Sequence, residues 1–104
     1  MILDECLPRK LAALLEEEMV TTVPKRGWAS KKNGELLTLV SQEFDVFVTH
    51  DENLEHEQNL QKFAAGIIVI HAKSNRLSDI QPLIPELNRA IASVTAYHIA
   101  HVGT

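Results

Sequence analysis

GIIVIHA, residues 66–72, is an apolar run that no charge interrupts before His71. A strand with one wet face alternates apolar and polar residues. An unbroken run fits a strand covered on both faces, the usual condition of a strand inside a parallel sheet. Upstream, FDVFVTHDENLEHE (44–57) carries a second such strand over Asp45–Thr49, then runs at once into His50, Asp51, Glu52 and Asn53. Further upstream, MVTTV (19–23) is rich in β-branched residues, and MILD at the start reads as a short buried strand. Downstream, YHIAHV (97–102) alternates and reads as a final edge strand.

Helical patterns fill the gaps. Leu7, Leu11, Leu14 and Leu15 recur at helical spacing, and Pro8 suits a first helical position, so a helix over 8–18 is expected. GELLTLVSQE (34–43) predicts a second helix, with Asn33 as its N-cap and Glu35 in its first turn, where a carboxylate suits the helix dipole. Residues 55–63 suggest a short third helix. Ile80, Leu83, Ile84, Leu87 and Ile91 mark a long last one, with a kink expected at Pro85. Ser74, Asn75 and Ser78 are its candidate N-caps. The succession β-α-β-α-β-(α)-β-α-β predicts an α/β fold: a mainly parallel central sheet of four or five strands with helices on both faces. No linker or repeat divides the chain, so residues 1–104 form a single expected domain.

Composition limits the function. At 45% hydrophobic, 104 residues can bury a core without help from disulfides, and the single cysteine, Cys6, permits no internal one. A cytoplasmic location is therefore expected. The first twenty residues lack the apolar core of a secretory signal, and no apolar run approaches the roughly 18 residues of a membrane span. The net charge of −4 argues against a chain that grips nucleic acid with its whole surface. The segment Met19–Gly34 nevertheless holds no acid, while it carries Lys25, Arg26, Lys31 and Lys32.

In open parallel sheets, ligands bind beyond the carboxyl ends of the strands, where strand order reverses. Asp4 ends the first strand, Asp51 follows the third, and Glu35 opens the helix after the second, so all three are expected at that edge. Asp45 starts its strand at the opposite edge and is excluded. Acids at strand ends are ordinary singly, because turns favour Asp and Asn. Gathered carboxylates repel one another unless a proton or a cation neutralises them. Mg²⁺ takes one or two carboxylates, keeps several waters and leaves room for a phosphate. An acidic pit beside a basic rim suits phosphodiester hydrolysis. Lys25, Arg26, Lys31, Lys32 and Arg76 are candidate contacts to the flanking phosphates.

The segments LDECLPRKL (3–11), NGELL (33–37) and VTHDENL (48–54), followed by the GIIVI strand, together resemble PIN-like proteins of the Mut7-C and DUF5615 type. The likeness runs along almost the whole chain and implies a three-layer PIN-like fold. Matched residue by residue, Asp4 corresponds to the first acid, Glu5 to its neighbour, Glu35 to the helix-start acid and Asp51 to the acid after Thr49. Cys6 stands where the family usually has Asn, and Asn53 where a second acid is common. The resemblance implies a ribonuclease using Mg²⁺ or Mn²⁺. Asp4, Glu35 and Asp51 would be catalytic and metal-holding, and Glu5 and Asn53 would act through water. It further implies the toxin of a toxin–antitoxin pair, with a cognate antitoxin as partner; an apolar last helix and an edge strand would suit that contact or a homodimer.

Two other readings stand beside it. A phospho-acceptor receiver has a similar acidic layout but needs a lysine at the end of strand five, where this chain has His101-Val102-Gly103-Thr104. An inactive PIN-like module would act only by binding a partner. Among the remaining residues, His50, His56 and His71 read as surface histidines, His98 and His101 face opposite sides of an alternating strand and make a poor metal pair, and Trp28 reads as a cover for the core edge. Cys6 reads as packing, for no partner base is visible.

Overall fold

The computed structural model describes residues 1–16 and 19–103. Five strands, β1 (Ile2–Leu3), β2 (Thr21–Thr22), β3 (Val46–Thr49), β4 (Gly66–His71) and β5 (Ile99–Gly103), form one sheet in the order β2-β1-β3-β4-β5, with every pair parallel. The GIIVI run is buried throughout, as an inner strand with two covered faces must be. The expected α/β class therefore holds, and the architecture is compatible with a three-layer PIN-like fold.

Side chains alternate between two cores. Ile2, Phe47, Ile67 and Val69 point to one face, under α1 (Asn33–Glu43) and α2 (Leu54–Glu57). Leu3, Val48, Ile68, Ile70 and Val102 point to the other, under a 3₁₀ segment (Arg9–Leu14), α3 (Leu77–Ile80) and α4 (Ile84–Ser93). Trp28 is buried in the first core, edge-on to Phe44 with ring centroids 6.2 Å apart.

The helices depart from expectation for local reasons. Where a helix over 8–18 was expected, the described residues 8–16 make only the 3₁₀ segment. Leu7, Leu11 and Leu15 are buried, whereas Leu14 is exposed, and Glu17 and Glu18 lie outside the described residues. Residues 54–63 form α2 and a separate 3₁₀ turn (Leu60–Lys62). Leu54 and Leu60 are both buried, yet six residues apart on one helix they would point about 120° away from each other. The extended Gln58 and Asn59 between them resolve the conflict. The long last helix is split by a 3₁₀ turn (Gln81–Leu83). Pro82 and Pro85 lack the N–H that a continuous helix would use, and Pro85 sits instead in the first turn of α4. Asn33 is not a cap: it is the first residue of α1, and its amide donates to Glu57 Oε2 at 3.2 Å. Ser74 brackets the start of α3, accepting from Arg76 N at 3.1 Å and donating to Asp79.

Gly103 closes β5 with φ +86°, and its N–H donates to Glu86 Oε2 at 2.6 Å. A Cβ there would run into the carbonyl oxygen of His71 on the neighbouring strand. Gly103→Ala should therefore destabilise the protein by about 1–3 kcal/mol, the cost of holding a non-glycine residue in left-handed backbone. Urea unfolding measures this, and a variant as stable as the parent would show that the β5 terminus is free to move.

Candidate functional site

The register explains why Asp4 and the backbone of Asp51 meet at Thr49. Ile2 lies beside Phe47 and Leu3 beside Val48. One step further, Asp4 stands opposite Thr49, its N–H still on the ladder to Val48 O at 2.9 Å. With period-2 alternation both side chains leave on the face of Ile2 and Phe47. Thr49, fully buried, donates its hydroxyl to Asp4 Oδ2 at 2.7 Å and accepts from Asp51 N at 3.0 Å. One hydroxyl thus fixes a carboxylate from the end of β1 and the backbone that carries Asp51 beyond β3. This is the point where strand order reverses, the crevice in which doubly wound sheets bind ligands.

Both aspartates are held by short local turns. Asp4 Oδ1 accepts from Glu5 N at 2.8 Å, and Asp51 Oδ1 accepts from Asn53 N at 3.0 Å. The exposed Glu5 and Asn53 therefore contribute backbone donors to the two carboxylates. Among the described residues Asp51 Oδ2 takes no hydrogen bond. Asp4 Oδ1 accepts one donor and keeps lone-pair capacity for another partner, while Oδ2 accepts from Thr49 and, at 3.7 Å, from Cys6 Sγ.

Glu35 opens α1 at the same edge, and the Asn33–Glu57 bond ties that helix start to α2. Its exposed carboxylate pairs with Lys31 at 3.2 Å. Among the described residues no three histidine, cysteine or acidic side chains are gathered tightly enough to hold a metal ion. The Asp4 carboxylate and the Asp51 backbone meet at the Thr49 hydroxyl, and Glu35 is not brought into a ready-made ligand set with them.

The basic rim is divided. Lys25, Lys32 and Arg76 are exposed. The loop before Arg76 is pinned beside the β1 turn by Asn75 Nδ2 donating to Cys6 O at 3.0 Å. Lys31 is engaged by Glu35. Arg26 leaves the rim: it pairs with Glu43 at the far end of α1 and stacks on Trp28, 4.6 Å from the ring centroid. It lines a cleft of about 540 Å³ together with Met1, Phe44 and Asp45, residues that precede β1 and β3, at the opposite edge of the sheet.

Cys6 Sγ lies 3.7 Å from both Asp4 Oδ2 and Thr49 Oγ1. Burial first, and then the Asp4 charge, push its thiol above the ordinary cysteine range. The stability this group contributes is complete below the unfolded pKa of about 8.5 and is lost as pH rises through the higher folded value. Iodoacetamide at pH 8 should accordingly modify folded Cys6 more slowly than the same thiol in urea. Asp4→Asn, which removes the repelling charge, should speed the folded reaction. Equal rates in the folded and unfolded protein would contradict this environment.

Thr49 enters the sequence only as the end of the third strand. Its bond to Asp4 depends on register, which no single segment contains. Reasoning also missed a second cluster at the carboxyl edge. His71 Nδ1 lies 2.8 Å from Glu52 Oε1, His71 Nε2 lies 2.7 Å from His101 Nδ1, and His101 Nε2 lies 3.0 Å from Glu55 Oε1. The available signal was alternation, which puts His71 in line with Ile67 and Val69, and His101 in line with Ile99.

Fold and site together define a parallel α/β protein in which one buried hydroxyl joins Asp4 and the Asp51 backbone at the switch point between β1 and β3. The chain matches no protein-family model, no curated protein and no solved structure. Among the described residues no helix is long and apolar enough to cross a membrane.

Proposed function

We propose that the chain is a Mg²⁺- or Mn²⁺-dependent endoribonuclease of PIN-like type, acting as the toxin of a toxin–antitoxin pair. The observation that carries the reading is the double engagement of Thr49, which binds Asp4 and the backbone of Asp51 at the switch point. The donor set fits a hard cation. Two carboxylates with spare lone pairs suffice for Mg²⁺, which completes its shell with water and substrate phosphate. Asp4 and Asp51 would hold the ion, with Glu35 joining once released from Lys31. When bound, the ion supplies charge neutralisation at the phosphoryl oxygens and lowers the pKa of the attacking water. Asp4, held by Thr49 and Glu5 N, keeps one fixed direction towards the scissile phosphate. Lys25, Lys32 and Arg76 supply positive charge to flanking phosphates, and Lys31 does so when Glu35 turns to the ion. The basic residues set affinity rather than sequence choice, because phosphate contacts carry no base information. The antitoxin, or a second copy of the chain, would be the protein partner.

The test is cleavage of single-stranded RNAs of varied sequence with Mn²⁺, with and without EDTA. Cleavage that EDTA abolishes is the expected result; cleavage indifferent to EDTA would overturn the metal role.

One observation favours a second reading, an inactive module that only binds a partner: Glu35 is spent on Lys31 and Asn53 supplies no acid. Calorimetric titration separates the two, since an inactive site gives no heat with Mn²⁺ that depends on Asp4. The receiver reading loses support from β5, which contains no lysine.

A further inference from the structure

We propose that His71 and His101 form a binding site for a borderline divalent transition ion, Zn²⁺, Cu²⁺ or Ni²⁺, separate from the aspartate crevice. The inference does not rest on the ribonuclease reading.

The two imidazoles come from neighbouring parallel strands on one sheet face. His101 is in register with Val69, and His71 lies two residues beyond Val69. The ring centroids are 4.9 Å apart at an interplanar angle of 29°, so the two rings meet edge to edge through their inner nitrogens. Each ring is oriented by a carboxylate on its outer nitrogen: Glu52 on His71 Nδ1 at 2.8 Å and Glu55 on His101 Nε2 at 3.0 Å. A carboxylate can only accept, so these outer nitrogens carry the protons. The inner nitrogens, His71 Nε2 and His101 Nδ1, then present their lone pairs to each other across 2.7 Å. Two facing lone pairs at that distance repel, and a cation bound between them removes that repulsion.

The wider arrangement suits a metal. Ligating histidines usually give their second N–H to a carboxylate, which fixes the tautomer and makes the ligand more basic. Here both histidines have that support before any ion arrives. With metal–nitrogen bonds of about 2.0–2.1 Å, two ligands at tetrahedral or right angles lie about 2.9–3.4 Å apart. The rings therefore need to open by well under an ångström, and the His101 side chain, 46% exposed, has room to do so. Imidazole nitrogen selects Zn²⁺, Cu²⁺ and Ni²⁺ over Mg²⁺ and Ca²⁺, so the two ends of the loop after β3 attract different metals. Asp51 faces the hard-cation crevice, while Glu52 and Glu55 brace the imidazole pair. With only two protein ligands, the ion keeps open positions for water, an anionic ligand or a side chain of a bound partner.

The test uses the chain without any polyhistidine tag. Cu²⁺ is titrated and followed by its visible absorption and by calorimetry, against the parent, His71→Gln, His101→Gln and a control, His98→Gln. Circular dichroism and urea unfolding confirm that each variant is folded. The expected result is one strong Cu²⁺ per chain, weakened at least about tenfold by His71→Gln or His101→Gln and unchanged by His98→Gln. Asp4→Asn should also leave it unchanged, which separates this site from the crevice. Binding that is the same in the parent and in the folded His71→Gln/His101→Gln double variant would overturn the proposal. So would loss of Cu²⁺ binding on His98→Gln alone.

Discussion

Asp51→Asn is expected to remove Mn²⁺-dependent RNA cleavage while leaving the fold intact. The substitution keeps the shape of the side chain and an oxygen that can still accept from Asn53 N, so the turn after β3 survives. It removes one of the two negative charges that would hold the proposed cation. Loss of an outer-sphere partner alone commonly lowers metal affinity or activity about 10–100-fold, and loss of a direct ligand should exceed that. Asp4→Asn should behave likewise, and the double variant should be little worse than either single one, because the two side chains would serve one ion. Initial rates over a range of Mn²⁺ concentrations measure this. Additive losses would mean that the aspartates act separately, and parental activity in either variant would remove that residue from the site.

Thr49→Val should weaken both the fold and the site. Valine matches threonine in shape, so packing in the buried position is preserved and only the hydroxyl is lost. That hydroxyl donates to a carboxylate and accepts from a backbone N–H. A hydrogen bond to a charged group is worth about 1.5–3 kcal/mol and a neutral one about 0.5–1.5, giving a combined loss of roughly 2–4 kcal/mol. Against a total stability of about 5–15 kcal/mol for a typical domain, this is a large fraction. Released from Thr49, Asp4 loses its fixed direction, and metal affinity should fall with stability. Thr49→Ser, which keeps the hydroxyl, should recover most of the site function. Urea unfolding and Mn²⁺ titration on the same three proteins decide the matter; a Thr49→Val protein as stable as the parent would show that the hydroxyl adds nothing to the fold.

Much of the architecture was legible because it depends on local pattern. The unbroken GIIVI run announced an inner strand, and the placement of Asp4, Asp51 and Glu35 at one edge followed from the alternation of strands and helices. Helix boundaries were less legible. Pro82 and Pro85 signalled a break, but the leucines around them suggested continuity, and packing resolved the conflict in favour of three short pieces. Leu54 and Leu60 show the same competition, in which burying both residues outweighs extending one helix. The basic rim was over-read, because charge on a loop does not reveal which acid it will meet. Arg26 finds Glu43 and the Trp28 ring instead of facing the crevice. The His71–His101 contact was invisible in either segment alone. It needs the β4–β5 register, which pairing between distant strands decides.

The most direct measurement of the central claim is a crystal of the protein soaked in Mn²⁺, with the ion located by its anomalous scattering. The account predicts a peak directly coordinated by carboxylate oxygens of both Asp4 and Asp51, with Thr49 still bonded to Asp4. A well-ordered crevice without a peak, or aspartates turned to separate sides of the sheet edge, would contradict it.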